Sequence, residues 1–151
     1  MTIRDELVTF LEQSGIRPAG DPSPEIYPDD WFRFPVGAKR VPLFKHGMIE
    51  QSLALHDLHH VLTGYGTDWD GELELAGWEL GSGGCASHKF MWLDRLSVAL
   101  IALVAAPRMF LRAYRAGRAS RNLYREDLDE LLTMEVGEVR RRARIEAPVA
   151  A

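Results

Sequence analysis

Apolar residues along most of this chain recur every three or four positions, which is the spacing of amphipathic helices. Near the start, Leu7, Phe10 and Leu11 share one helical face before Gly15 stops the pattern. The chain offers no convincing alternation of apolar and polar residues of the kind that strands produce. We therefore expect an all-α fold, a single-domain helical bundle. The predicted helices cover residues 3–14, 46–63, 69–80, 89–106 and 124–145. The fourth helix is either ended at Pro107 or only kinked there, in which case residues 108–115 continue it.

Glycines and capping residues set the predicted helix boundaries. Gly64 and Gly66 end the second helix, and Thr67 or Asp68 can cap the third. A glycine-rich run over residues 81–84 then breaks the third helix. Ser120 or Asn122 can cap the last one.

The segment from residue 17 to residue 43 differs in composition from the rest of the chain, because it contains six of the eight prolines. Proline removes a backbone donor and fixes φ, so a long helix is excluded there. We expect a long Pro-rich loop that wraps the core; loops of this length in a compact domain often have a function, such as covering a site. The single domain, residues 1–151, then comprises an N-terminal helix and wrapping segment (1–45) and a metal-binding helical core (46–146).

The longest apolar stretch of the chain runs from Leu96 to Ala106. A bilayer core needs about 20 apolar residues, so this stretch is roughly half long enough to span one. We expect a buried core helix, with an interfacial or partner-facing helix as the alternative.

Net charge, cysteine count and the N-terminal sequence exclude several classes of protein. The chain carries 18 Lys and Arg against 22 Asp and Glu, a net charge of −4, which excludes a general nucleic-acid binder. One cysteine, Cys85, rules out an internal disulfide framework and fits a reducing compartment. The N-terminus lacks the apolar core of a signal peptide, so we expect a cytoplasmic protein. Peripheral membrane contact and a homodimer stay open.

A cluster of histidines lies in the second predicted helix. At about 100° per residue, His56 and His60 lie roughly 40° apart, and Asp57 lies about 60° beyond His60. These three side chains therefore project from one flank of a single turn. Two imidazoles at positions i and i+4 with a carboxylate form half of a metal site. His59 is an alternative ligand to His60, or a residue that supports the ligands or packs.

Two glutamates of the third predicted helix can complete this cluster. The glycine turn lets the chain fold back, so that Glu72 can meet the histidines, and Glu79 shares its face seven residues later. Burying these carboxylates unpaired would be costly, and a cation among them would remove the cost. The pattern favours a metal site over a structural polar cluster or a solvated face. Glu79 is the candidate catalytic acid–base residue, or a residue that supports the ligands.

Such a ligand set suits a divalent metal, either Zn²⁺, Fe²⁺ or Mn²⁺. We expect this metal to act as a Lewis acid on an oxygen atom of the substrate. A metal-dependent phosphohydrolase is disfavoured, because the chain lacks the further His and Asp ligands of a two-metal site.

The pattern His56-Asp57-x-x-His60 with Glu72 after eleven further residues resembles the signature of the coenzyme Q biosynthesis protein 4 family. The flanking sequence agrees, with HDLHHVLTG over residues 56–64, Gly71 before Glu72, and an aromatic-Glu pair at 78–79. The run GEVRR over residues 137–141 resembles the closing segment of that family. The resemblance covers about residues 46 to 146.

This resemblance implies a mostly helical fold with a divalent metal, usually zinc, held by His56, Asp57, His60 and Glu72. It implies a role in ubiquinone biosynthesis, at the step that removes a carboxyl group and installs a hydroxyl on a polyprenylated hydroxybenzoate. It also implies that the metal acts on a carboxylate or phenolate oxygen of an aromatic acid. It further implies association with other biosynthetic enzymes and isoprenoid binding, for which the helix over residues 96–106 could form one wall of a tunnel as an alternative to core packing. The expected partners are a polyprenylated aromatic or lipid-like small molecule and those enzymes, and no nucleic acid.

The main alternative is a non-catalytic binding module, in which the metal stiffens two helices and the protein presents a lipid or quinone intermediate to partner enzymes. Four saturating protein ligands would favour this alternative, because a closed site leaves no position for substrate. An open coordination position would favour catalysis.

Overall fold

Residues 1–17, 19–20, 26, 31–36, 39–45 and 50–146 are described by the computed structural model of this protein, with the backbone alone described over 31–45. Within these residues the chain forms an all-α, single-domain bundle, which confirms the predicted fold class. One short hairpin accompanies the helices. The elements are α1 (Ile3–Gln13), β1 (Trp31–Val36), β2 (Lys39–Lys45), α2 (Glu50–Thr63), α3 (Trp69–Gly81), α4 (Lys89–Ala105), α5 (Pro107–Ala119), α6 (Leu128–Thr133) and α7 (Val136–Ala143).

Helix α1 begins at a capping box and packs into the core. The Thr2 hydroxyl accepts from the backbone N–H of Asp5, and the Asp5 carboxylate accepts from the N–H of Thr2, so two N-terminal donors are satisfied. Ile3, Leu7 and Leu11, spaced four residues apart on one helical face, are fully buried. They belong to the main hydrophobic core, and α1 contacts α2 and α6. The N-terminal helix is therefore part of the bundle itself.

Helices α3 and α5 pack backbone against backbone. A Cβ added at Gly117 would lie 2.2 Å from the Trp78 carbonyl oxygen, and one added at Gly81 would lie 2.2 Å from that of Tyr114. Only glycine permits this approach, because any side chain would force the two helices apart. Asp68 caps α3 as predicted, since its side chain accepts from the backbone N–H of Gly71 at 2.9 Å. Helix α3, which carries Glu72 and Glu79, is thus held at its start and along its length.

The Pro-rich segment contains an antiparallel hairpin where the sequence predicted only a loop. Strand β1 pairs with β2 from Trp31↔Lys45 to Val36↔Lys39, with a register shift after Phe32. In a two-stranded sheet every strand is an edge strand, where proline is tolerated because half of the backbone donors need no ladder partner. The expectation of a wrapping loop over 17–30 falls mostly outside the described residues.

The C-terminal helix predicted over residues 124–145 is wrong, because the structure has α6 and α7 in its place. Asp127, and not Ser120 or Asn122, caps α6 by accepting from the N–H of Glu130. The break comes from a distant segment. The N–H of Ile3 donates to the Met134 carbonyl at 2.8 Å and draws the chain out of the helix there.

Helix α4 is not the buried core helix that its composition predicted. Its buried residues are Met91, Arg95, Ala99 and Ala102, and a row of large apolar side chains faces outward. Val104 is 87% exposed. Of the two alternatives at Pro107, a kink and an end, the structure has the end, since the chain leaves the helical conformation at Ala106 and α5 starts anew with Pro107. No helix among the described residues is long and apolar enough to cross a membrane.

Candidate metal centre

Helices α2 and α3 bring three candidate ligands together. His56 and His60 lie one turn apart on α2, and Glu72 lies in the first turn of α3. The Nε2 atom of His60 is 3.2 Å from Oε1 of Glu72, and the Nε2 atom of His56 is 3.7 Å from Oε2 of the same carboxylate. One ligand atom from each residue lies within 4.8 Å of the other two. The predicted association of these three residues is confirmed, and they could hold a metal ion.

The turn between α2 and α3 places Glu72 next to the two histidines. Gly64 adopts a positive φ of 78° after the last turn of α2, a conformation that glycine takes without strain. A Cβ at Gly71 would lie 2.0 Å from the Gly66 carbonyl oxygen, so the turn packs directly on the start of α3. The Tyr65 carbonyl then accepts from Nδ1 of His60 at 3.0 Å. The turn therefore folds the chain back and also orients one of the ligands.

Both candidate histidine ligands direct Nδ1 away from the centre and Nε2 toward it. Nδ1 of His60 donates to the Tyr65 carbonyl, and Nδ1 of His56 donates to the Glu79 carboxylate at 3.1 Å. Metal-bound histidines nearly always donate their second ring N–H to a carbonyl or a carboxylate in this way, which fixes ring orientation. In the neutral imidazoles the Nε2 lone pairs then point at the Glu72 oxygens.

The Nε2 lone pairs of the two histidines and the Glu72 oxygens repel each other unless a positive charge lies between them. That charge can be a metal ion or protons on the imidazoles. Burial and Arg95 oppose protonation of His56, yet Glu79 and Glu72 outweigh both and raise its pKa to about 10. The site thus attracts a cation strongly enough to hold a proton far above the ordinary pKa of histidine. A divalent metal fits the same position, because its ligands are two neutral imidazole nitrogens and one carboxylate.

Glu79 is buried with no exposure and supports the ligands from behind. Its Oε1 atom accepts from Nδ1 of His56, from Nδ1 of His59 at 2.7 Å and from the Tyr124 hydroxyl at 2.7 Å. Burial opposes the charge, but His56 and His59 together hold the pKa of Glu79 well below its usual value. Its Oε2 atom makes no hydrogen bond. This geometry favours the supporting role for Glu79, and its acid–base role stays a prediction.

His59 does not belong to the three-residue group. Its Nε2 atom accepts from the backbone N–H of Leu123 at 2.9 Å, so Nδ1 carries the hydrogen that it donates to Glu79. Burial, the largest influence, lowers the pKa of His59, which agrees with a neutral ring. Both nitrogens are thereby occupied, and the alternative in which His59 replaces His60 as ligand is excluded by this arrangement.

Arg95 of α4 joins the centre, and the sequence reasoning missed it. Its side chain is almost fully buried, with Nη1 3.0 Å from Oε2 of Glu72 and Nε 3.8 Å from Oε2 of Glu79. It also pairs with its neighbour Asp94. Burial would raise the pKa of Glu72, but His56, His60 and Arg95 together hold it far below its usual range. The sequence gives no sign of this role, because Arg95 directly precedes the apolar stretch that begins at Leu96 and looks like its polar end.

Asp57, the fourth predicted ligand, is buried on α2 but lies outside the group that the structure brings together. It follows His56 by one residue and therefore projects about 100° around the helix from it, whereas His60 projects within about 40°. Its role as a ligand stays a prediction. A metal held by the three grouped residues alone would have coordination positions free, and the Glu72 side chain is 27% exposed, so the centre is accessible from one side.

Comparison of the chain with family models, with curated proteins and with solved structures gives no match. The geometry of the centre and the residues that build it are therefore what indicates a function for this chain.

Proposed function

We propose that this protein is a metal-dependent enzyme that removes the carboxyl group of an aromatic acid, in the biosynthesis of ubiquinone or a related quinone. One observation carries the proposal. His56, His60 and Glu72 present two imidazoles and one carboxylate from two helices, and leave further coordination positions for a substrate. Catalytic metal sites keep such positions open, whereas structural sites close them.

The same three residues would hold the metal, for which Zn²⁺ is our first choice and Fe²⁺ or Mn²⁺ are alternatives. When bound, a divalent metal supplies Lewis-acid stabilisation of negative charge on a carboxylate or phenolate oxygen. The protein supplies the orientation. Glu79 and the Tyr65 carbonyl hold the two imidazole rings, and Arg95 holds the Glu72 carboxylate.

In the proposed reaction the bond between the ring and its carboxyl carbon breaks, and carbon dioxide leaves. The electron pair stays on the ring and is quenched by a proton that takes the place of the carboxyl group. A cationic centre in a buried setting stabilises the charge that builds up. Arg95 contributes to this field as a fixed guanidinium whose pKa is raised, because Glu79, Asp94 and Glu72 outweigh its burial. Replacement of the carboxyl by a hydroxyl would additionally consume dioxygen and two electrons from an external reductant.

The proposed substrate is a polyprenylated hydroxybenzoate or a related lipid-like aromatic acid. The resemblance of residues 56–72 to the coenzyme Q biosynthesis protein 4 signature supports this choice. A second observation agrees with it. Helix α4 places Arg95 against Glu72 on its inner face and an apolar surface on its outer face, so the centre lies one helix away from a surface that suits a lipid.

The non-catalytic alternative is favoured by a different observation. The cluster joins three helices, since α2 contributes His56 and His60, α3 contributes Glu72 and Glu79, and α4 contributes Arg95. A metal there would stiffen the bundle even without chemistry. In that case the protein would present the lipid intermediate to partner enzymes.

Metal content and turnover together test the proposal. We would purify the parent protein without added metal, beside His56→Ala, Glu72→Ala and the matched surface control Glu74→Ala, and measure bound zinc, iron and manganese. Each preparation would then be incubated with a prenylated 4-hydroxybenzoate, and released carbon dioxide would be measured with and without dioxygen. We expect about one metal per chain in the parent and the control, lost in both ligand variants, with carbon dioxide released only where metal is bound.

Two results would change the conclusion. Bound metal that raises the melting temperature, with no carbon dioxide released from any prenylated acid, would favour the binding module. If the parent contains no metal and the ligand variants are as stable as the parent, the three residues do not form a metal site.

A further inference from the structure

Ser52 and His88 form a hydrogen-bonded pair outside the metal centre. Nε2 of His88 lies 3.1 Å from the Tyr124 carbonyl oxygen, which can only accept, so Nε2 carries the ring hydrogen. Nδ1 therefore holds a lone pair, and the Ser52 hydroxyl donates to it at 2.5 Å. A serine that donates to an imidazole, with the other ring nitrogen of that imidazole held by an acceptor, is the arrangement of a nucleophile with its general base.

The direction of this hydroxyl group distinguishes Ser52 from other hydroxyl side chains in the helices. Thr9, Thr63 and Ser97 each donate back to the carbonyl four residues earlier in the chain. Ser52 lies in the first turn of α2, where the helix has no carbonyl four residues earlier. Its hydrogen is therefore directed to His88 and not back into the helix.

The turn before α4 holds His88 in place. Ala86 adopts a φ of 49°, in the left-handed region that a residue with a Cβ rarely enters. Its carbonyl accepts from Nε1 of Trp92 at 3.0 Å, and the Gly84 carbonyl accepts from Nδ2 of Asn122 at 2.7 Å. Backbone strain of this kind is concentrated at functional sites, where the surrounding structure maintains it. His88 follows Ala86 by two residues, so a fixed turn presents its ring.

An open cavity of about 570 Å³ lies beside this pair. His88 and Gln51 line the cavity, and Ser52 adjoins both, since it follows Gln51 in the chain and is hydrogen-bonded to His88. Ser52 itself keeps 7% of its surface exposed. Cavities that bind small molecules span about 300–1,000 Å³, so this one has room for a small substrate next to the pair.

The charges of the cavity wall favour an anionic molecule. Arg125 and Glu126 both line the cavity, but Glu126 is paired with Arg142 at 2.7 Å. Arg125 is exposed and forms no ion pair with any residue that the structure describes. Helix α4 begins directly after His88, and the N-terminal end of a helix carries partial positive charge. Both the guanidinium and the helix end therefore attract negative charge.

We propose that Ser52 and His88 form a second catalytic site, which hydrolyses small acyl esters that carry a negative charge. The Ser52 oxygen attacks the acyl carbon, and the hydroxyl proton passes to Nδ1 of His88. The bond between the acyl carbon and the alcohol oxygen then breaks, and the alcohol leaves with that proton. Water next attacks the acyl-serine and gives a proton to Nδ1. The bond from the acyl carbon to the Ser52 oxygen breaks, the free acid leaves, and Ser52 takes the proton back.

Two groups of the chain assist these steps. The Tyr124 carbonyl accepts from Nε2 of His88 and so keeps the ring in the orientation and tautomer that a base needs. The positive end of α4 stabilises the negative charge that develops on the acyl oxygen during each attack. The site uses neither His56, His60 nor Glu72, and the reaction needs no metal.

Labelling with an alkyl fluorophosphonate, which reacts with activated serines, tests the nucleophile. The matched control is Ser97→Ala, because Ser97 is more exposed than Ser52 but donates to a backbone carbonyl. We expect the parent and this control to be labelled, with the phosphonate on the peptide that contains residue 52. Ser52→Ala should not be labelled. His88→Gln should react at least about a hundredfold more slowly, because a general base contributes about 10²–10⁴-fold to a rate.

Hydrolysis of 4-acetoxybenzoate, compared with that of uncharged phenyl acetate, tests the substrate class. The parent should cleave the anionic ester faster than the uncharged one. Arg125→Gln should reduce this preference by up to about fivefold, the effect of one exposed charge. Arg125 is exposed, so the variant should keep the melting temperature of the parent.

Ser52→Cys provides a second measurement that does not depend on loss of labelling. A thiol beside His88 should form a thiolate and react with iodoacetamide in the folded protein. The natural Cys85 is buried and serves as an internal comparison. We expect residue 52 to react at least about tenfold faster than Cys85, and His88→Gln in the Ser52→Cys protein to remove that difference.

Two results would overturn the proposal. The first is a folded parent that takes up no phosphonate and cleaves neither ester, even if Ser52→Ala lowers the melting temperature, since the pair would then only tie α2 to the start of α4. The second is labelling that His88→Gln leaves unchanged. A chelator should alter neither labelling nor ester hydrolysis. Failure of this site and failure of the metal-dependent release of carbon dioxide therefore give separate results.

Discussion

Replacing Glu79 by glutamine should weaken metal binding without unfolding the protein. The Glu79 carboxylate touches no candidate metal position directly and acts by holding Nδ1 of His56, which directs Nε2 toward Glu72. A glutamine keeps the side-chain length and keeps an oxygen at the position of Oε1. Its amide nitrogen takes the position of Oε2, the atom that accepts no hydrogen bond. The substitution therefore removes the charge, including its attraction to Nε of Arg95 3.8 Å from Oε2, and keeps the hydrogen bonds to Oε1.

The magnitude follows from the hydrogen bonds to Oε1. Three donors converge on that atom, from His56, His59 and Tyr124. A bond to a charged acceptor contributes about 1.5–3 kcal/mol and a bond to a neutral one about 0.5–1.5 kcal/mol, so each bond should weaken by about 1 kcal/mol. Removing the desolvation cost of a buried carboxylate offsets part of this loss. We expect the unfolding free energy to fall by less than about 2 kcal/mol.

Metal affinity should respond more strongly, because only a well-oriented and basic imidazole binds a metal tightly. Loss of a partner behind a metal-bound histidine typically weakens metal binding about tenfold to a hundredfold. The matched control is Glu74→Gln, the same substitution on the same helix, where the carboxylate pairs with Arg112 at the surface. That control should leave metal affinity unchanged and cost less than about 1 kcal/mol.

Competition with a chromogenic chelator, run with zinc and anaerobically with ferrous iron, measures the affinities of the parent and both variants. Thermal unfolding of the metal-free proteins checks that the fold is retained. Equal affinities for the parent and Glu79→Gln would refute the orienting role of Glu79. Equal losses in Glu79→Gln and Glu74→Gln would show that the effect is one of general charge and not of the His56 hydrogen bond.

Four further predictions concern the scaffold around the centre. Gly117→Ala should lower the unfolding free energy measured in urea by about 1–3 kcal/mol, because its methyl group would lie 2.2 Å from a backbone oxygen of α3. Gly137→Ala, whose nearest neighbour is the end of a flexible arginine at 3.7 Å, should instead stabilise α7 by about 0.5–1 kcal/mol. Cys85 should not react with a thiol reagent at pH 8 until the protein is unfolded, because burial and then the Glu79 charge raise its pKa to about 12; rapid labelling of the folded protein would contradict this. Arg140→Ala should cost about 1–3 kcal/mol, since the guanidinium donates to the last two α2 carbonyls before Thr63, at 2.9 and 3.0 Å. Arg140→Lys should recover part of that loss. An unchanged melting temperature in both Arg140 variants would contradict a stabilising role for these hydrogen bonds at the C-terminal end of α2.

The sequence alone determined the features that depend on residues close to one another along the chain. Thr67 or Asp68 was predicted to cap α3, because a cap acts within its own first turn, and in the structure Asp68 is the cap. His56 and His60 share a face because helical spacing places residues i and i+4 side by side. Glu72 could be added because only a short glycine turn separates the two helices. The all-α fold class followed from the same local periodicity.

Only the tertiary structure decided the features that depend on distant contacts. Arg95 is 23 residues from Glu72 in sequence and joins the centre only because α4 packs beside α3. The tautomer of His59 is set by a backbone N–H 64 residues away. The sequence of an apolar helix does not show which of its faces the core will cover. We therefore predicted that α4 is buried, whereas one broad face of it is exposed. Likewise, the break between α6 and α7 comes from pairing with the N-terminus, a contact that no local pattern near Met134 encodes.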